Sequence, residues 1–140
     1  MKGTRMKQLA FFFAITVSLT AQAGKAEREF LKTKLGPAMK QAEVDFKKSC
    51  GCPITFVLAD STTKAENDMF IALHVVETFS RNAEGYCVDA DSRKAACQLR
   101  TLEIGKADKA SFSFKAGRGI TLHDGQSYLG WDQIMREIDK

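Results

Sequence analysis

The chain of 140 residues is long enough for one hydrophobic core but not for two, and no internal repeat, low-complexity tract or linker divides it. Its formal charge of +4 is concentrated at the start: Lys2, Arg5 and Lys7 account for three of the 21 basic side chains, and the remaining 18 face 17 acids with which they are interleaved. That balance excludes the concentrated basic face with stacking aromatics that nucleic-acid binding requires.

Residues 1–23 combine those three cations with an apolar run from Leu9 to Leu19 and a small-x-small site at Ala21-Gln22-Ala23. This is the pattern of a secretory signal peptide, shorter than the roughly 20 apolar residues of a membrane span, and no cysteine follows it as in a lipoprotein. We therefore expect residues 1–23 to be removed and residues 24–140 to form one exported α+β domain, periplasmic or secreted, with no membrane attachment after signal removal.

From Lys25 to Lys48, Leu31, Leu35, Ala38, Met39, Ala42 and Phe46 recur at three- and four-residue spacing, which predicts an amphipathic helix. Gly36-Pro37 lies inside it and predicts a kink or a division into two short helices. "ITFVLAD" after Pro53 is apolar at nearly every position and reads as a strand inside a sheet, covered on both faces. A second helix follows, with Thr63 and Glu66 as a capping box and Met69, Phe70, Leu73, Val76 and Phe79 as its apolar stripe; His74 is expected in the core beside it. "RNAEGYCVDADSRKAAC" reads as a polar, turn-rich loop.

The period then changes to two. Leu102 and Ile104, Phe112 and Phe114, and Ile120 and Leu122 alternate with polar residues, predicting three antiparallel strands with one wet face. Because a slip of one residue would move a whole strand's apolar set into water, we expect Phe112, Phe114, Ile120 and Leu122 on the core side. Ser111, Ser113, Lys115, Thr121 and His123 would then lie on the wet side. Trp131, Ile134, Met135 and Ile138 share one face of a short closing helix. The order is helix, strand, helix, three strands, short helix, with the helices packed on one face of the sheet.

Cys50, Cys52, Cys87 and Cys97 all lie in the exported part, where an even count predicts disulfides. A bridge from the Cys50/Cys52 pair to Cys87 or Cys97 closes a loop worth about 4 kcal/mol, against about 2.8 kcal/mol for the Cys87 to Cys97 loop. The local alternative also forces Cys50 to bond Cys52 across one glycine, a ring too small for relaxed disulfide geometry. Crossed pairing is expected, in either order. A redox centre fits poorly, since the pair ends a helix, where the dipole opposes a thiolate. Paired zinc ligands want two to four intervening residues, and "VDADSRK" lacks the glycine and distal glutamate of a calcium loop. No metal and no cofactor is expected.

His123 with nearby serines suggests hydrolysis only weakly, because no GxSxG elbow or reactive cysteine accompanies it. We expect a binding protein, of the kind that inhibits a cell-envelope hydrolase or confers immunity to a toxin, whose partner is another protein. A small secreted hydrolase, a thiol-disulfide redox helper and an accessory subunit of an envelope complex are the alternatives. The expected contact residues are Arg118, His123, Lys115 and Asp124, on the sheet face and its turns, with the cysteine-bounded stretch from Val88 to Ala96 as the second choice.

Overall fold

A computed structural model describes residues 24–140, so the export signal read in residues 1–23 lies outside the described residues. Residues 24–30 are α-helical, Leu31–Leu35 make one π-helical turn, and α1 (Gly36–Cys50) continues the same rod. The π turn takes the place of the expected break at Pro37. Proline has no N–H and its ring would strike the carbonyl four residues back, at Thr33; widening the preceding turn relieves both conflicts. The widened turn closes through the Gly36 N–H, which donates to the Leu31 carbonyl, and a Cβ on residue 36 would stand 2.7 Å from that oxygen. Leu35, Ala42, Phe46 and Cys50 then point to the core on one stripe.

The helix ends at Gly51, whose φ of 83° is left-handed and whose N–H donates to the Lys47 carbonyl at 2.8 Å. That reversal aims the cysteines on either side of it at different targets. Cys50 is bonded to Cys87, at the C-terminal end of α2 (Glu66–Tyr86), and Cys52 to Cys97, at the C-terminal end of α3 (Ala90–Ala96). Three helix ends are thus tied to one turn. Taken singly, the loops of 37 and 45 residues are each worth about 4 kcal/mol. With either bridge closed, the other completes a ring of only about a dozen residues, which still contributes about 3 kcal/mol. The helix α3 occupies the stretch read as a loop. Asp89 caps it by accepting the Ser92 N–H at 2.8 Å, a short-range signal inside a polar segment.

The four strands β1 (Thr55–Leu58), β2 (Thr101–Lys106), β3 (Ser111–Lys115) and β4 (Arg118–His123) form one sheet in the order β1-β2-β4-β3. The α+β class is as expected, and so is the chain order of helices and strands apart from the added α3, but the pairing is mixed. Strands β1 and β2 are parallel, β2 and β4 are parallel, and only β3 and β4 are antiparallel. Nor is β1 interior. It is an edge strand: Ile54, just before it, and Phe56 within it are buried, while Thr55 is exposed and Val57 is 37 % exposed, so the apolar run is covered on one face only. The free edge is blunted where the Phe56 N–H donates to Glu43 of α1 at 3.0 Å.

The helices cover one face. Phe46 of α1 stacks on Phe79 of α2, with ring centroids 5.8 Å apart, and Phe56 of β1 meets Phe79 edge-on at 5.7 Å. The last helix, α4 (Trp131–Ile138), presents Trp131, Ile134, Met135 and Ile138 to this core as its spacing predicts, with Trp131 against Phe79 and Tyr86. The start of α2 departs from expectation: its N-cap is Ala65, without a side-chain cap, and Thr63 instead closes the 3-10 turn Asp60–Thr62 by donating to the Asp60 carbonyl.

The hairpin between β3 and β4 decides which residues reach the core. Ala116 and Gly117 both have positive φ, 52° and 81°, a two-residue turn of the I′ type, and it sets Lys115 opposite Arg118. Counting back, Phe114 faces Gly119 and Phe112 faces Thr121, so even-numbered residues of β3 share a side with odd-numbered residues of β4. Phe112 is buried as expected, but Thr121 and His123 accompany it inward and Ile120 and Leu122 turn outward. Gly119 is what makes room: a Cβ there would lie 2.7 Å from Cδ1 of Leu99 and 2.8 Å from Cε1 of Phe112. Gly119→Ala should therefore lower stability by about 1 to 3 kcal/mol through overpacking. Denaturant unfolding followed by circular dichroism measures this, and an unchanged midpoint would contradict the parity of the hairpin.

Candidate functional site

Among the described residues the α-helices lie on one side of the sheet, and the other side is open except at Gly105, where Ala59 and Ser61 would stand 3.2 and 3.3 Å from an added Cβ. Across the strands this bare side presents three rows in register: Thr55, Thr101, Arg118 and Lys115; then Val57, Glu103, Ile120 and Ser113; then Gly105, Leu122 and Ser111. Ile120 and Leu122 are half-buried there among their neighbours, and Val57 is exposed. The surface therefore carries an apolar pair along β4, flanked by Glu103 on one side and by Ser113 and Ser111 on the other, with Val57 beyond Glu103, and is not the uniformly wet face that the alternation suggests. A shallow open groove runs along its β3 side, lined by Ser113, Phe114, Lys115, Arg118 and Ile120.

Two of the four expected contact residues come together on this face. Lys115 and Arg118 are cross-strand neighbours, both exposed, and Arg118 Nη2 donates to Glu103 Oε1 at 2.5 Å from the adjacent strand. An exposed pair of this kind contributes at most about 1 kcal/mol to stability, but it ties the guanidinium to the adjacent strand. Arg100 lies on the other side of the hairpin tip, with Gln98 and Phe114 and apart from the two cations. Its stem packs where a side chain on Gly117 would stand, with Cδ 3.3 Å from the position of such a Cβ. Nothing in the local sequence marks Arg100, since its place depends on the pairing of residue 100 with the hairpin turn.

The other two residues lie elsewhere. Asp124 is exposed at the opposite end of β4, where it accepts the N–H groups of Gln126 and Ser127 and the Ser127 hydroxyl, and these bonds hold its pKa below the usual carboxylate value. His123 is 1 % exposed and points into the core side. The two histidines have exchanged the places expected of them: His74 is exposed on α2, against the half-exposed ring of Phe70 at 4.9 Å, and His123 is the buried one.

Both ring nitrogens of His123 are engaged. The Gly125 N–H donates to Nδ1 at 3.1 Å, which makes Nδ1 an acceptor and puts the ring proton on Nε2, from where it is donated to Thr62 Oγ1 at 2.9 Å. The imidazole is neutral in this arrangement. Beside it the buried carboxylate of Asp68, in the first turn of α2, pairs with Lys106 of β2 at 3.2 Å, and Asn67 donates to the Gly125 carbonyl. Four elements therefore meet at the C-terminal ends of the parallel strands: the 3-10 turn, the start of α2, β2 and the turn after β4. With both nitrogens occupied, His123 holds no free site for proton abstraction, and its arrangement is that of a structural knot.

No family model, characterised protein or solved structure matches this chain. Among the described residues, no group of His, Cys, Asp and Glu side chains is placed to hold a metal ion, and no helix is long and apolar enough to cross a membrane.

Burial, together with the Lys106 charge, pushes the His123 pKa below its ordinary 6.5, while Asp68 and Asp124 oppose the shift. A histidine lowered in the folded state binds fewer protons there than in the unfolded chain. Its contribution to stability is therefore complete above 6.5 and declines as the pH falls below that value, which is the unfolded one. The lowered carboxylates Asp89 and Asp124 start from an ordinary value of 3.8 and act in a separate, more acidic range. Urea midpoints measured from about pH 7.5 down to about pH 5 should fall, and His123→Leu should lower the neutral midpoint and flatten this slope. An unaltered slope in the variant would mean that another group carries the acid sensitivity.

Proposed function

We propose that the chain is an exported protein-binding module, of the kind that neutralises a toxin or a cell-envelope hydrolase, and that its contact surface is the bare sheet face together with the hairpin tip. The observation that carries this reading is the composition of that face. The half-buried Ile120 and Leu122 form an apolar pair along β4, and Glu103, Arg118, Lys115 and Ser113 stand around it on rigid strands. Interfaces favour this plan, an apolar centre with arginine anchors and a polar rim, on elements that need little ordering when the partner arrives. Lys115 and Arg118 set two cations against the one acid Glu103 on this face, and an acidic partner surface complements them. Export is supported by the signal-like sequence of residues 1–23 and by the two disulfides.

The test is capture from envelope extract with the purified protein, identification of any stoichiometric partner, and assay of that partner's toxic or hydrolytic activity with and without the chain. Ile120→Glu and Arg118→Ala should each weaken binding tenfold or more, about 1.4 kcal/mol for each factor of ten, while the thermal midpoint stays within a few degrees. If both variants bind and inhibit as the parent does, the contact surface is not this face.

A further inference from the structure

We propose that the chain pairs with a second copy of itself through the free edge of β3, joining two four-stranded sheets into one across a two-fold axis at Ser113. This rests on the backbone of β3 and not on the binding reading above. The I′ turn fixes which backbone groups of β3 are already used. Lys115 and Arg118 close the turn as a hydrogen-bonded pair, and the ladder alternates from there, so Ser113 and Ser111 also bond to β4. Phe112 and Phe114 are the non-bonded pairs, and their N–H and C=O groups point away from the sheet. Among the described residues these groups have no partner. The opposite edge differs, since there the outward N–H of Phe56 is taken by Glu43.

The free groups are self-complementary. In an antiparallel pairing centred on Ser113, Phe112 of each copy lies opposite Phe114 of the other, and both N–H to C=O exchanges form on each side of the axis. A shift of one residue in either chain would set bonded groups against free ones. The flanking residues agree with this register: Lys115 falls opposite Ser111 and not opposite a second lysine, so the edge charge that would repel a misaligned copy is tolerated. The half-buried Phe114 ring would gain the Phe112 ring of the other copy as a neighbour.

The axis gives the test. At the centre Ser113 would face Ser113 of the second copy in a non-bonded pair, with Cα atoms about 4.5 Å apart, close enough for a disulfide. In a single copy Ser113 is exposed on the bare face, where a charge is solvated. Sedimentation equilibrium of the full chain should give twice the mass of one chain at high protein concentration. Ser113→Glu, which sets two carboxylates face to face, should give the mass of one chain with an unchanged circular-dichroism spectrum. Ser113→Cys under mild oxidation should give a 113-to-113 bridge on non-reduced peptide mapping. The mass of one chain for the parent at every concentration, a dimer that survives Ser113→Glu, or an oxidised Ser113→Cys without that bridge would each overturn the pairing.

Discussion

The left-handed turn at Gly51 is the constraint on which the rest of the structure depends. An L side chain at φ 83° costs about 1 to 2 kcal/mol, so the glycine between the two cysteines is a requirement of the backbone and not a spacer. It ends α1, reverses the chain, and sends Cys50 to the end of α2 and Cys52 to the end of α3. Pro53 and β1 follow within a few residues, so the same turn fixes where the first strand can lie relative to the helices. Cys50 and Cys87 are buried within the core cluster and Cys52 and Cys97 lie at its margin, so the bridges continue the packing of the helices and do not stand apart from it.

The hairpin at Ala116-Gly117 is the second constraint, and it governs what the surface can do. A two-residue turn pairs even with odd residues across β3 and β4; a three-residue loop would have paired even with even and put Ile120 and Leu122 into the core. The observed parity instead turns Thr121 and His123 inward, where the histidine joins the start of α2 to the end of β4. It also leaves two large apolar side chains on the bare face beside Arg118. The buried histidine and the apolar pair have one cause, and both follow from the length of a turn.

Much of the fold is legible in the sequence because its helices are amphipathic. The stripes of α1 and α4 and the cross-linking of the Cys50/Cys52 pair to Cys87 and Cys97 follow from spacing and ring size. The remainder was hidden for physical reasons. An apolar run such as "ITFVLAD" does not distinguish a strand covered on both faces from an edge strand covered on one, since only Ile54 and Phe56 need to be buried. The parallel pairing of β2 with β4 depends on β3 stepping out to the edge, which no local pattern encodes. "AG" in a chain with several glycines does not declare an I′ turn, and an error of one residue there inverts a strand. Of the four expected contact residues, Arg118 and Lys115 lie together on the bare face, His123 is enclosed, and Asp124 is occupied in its own turn. Arg100 could not be found in the sequence because it reaches the hairpin tip only through tertiary pairing.

The most direct test of the central constraint is the disulfide map of the non-reduced protein. Only one residue separates Cys50 from Cys52, so stepwise partial reduction and differential alkylation, read by tandem mass spectrometry, are needed to tell the two apart. The account predicts no free thiol, with Cys50 joined to Cys87 and Cys52 joined to Cys97. A Cys50 to Cys52 bridge, the reversed crossed pairing, or a readily alkylated Cys50 in the folded protein would contradict it.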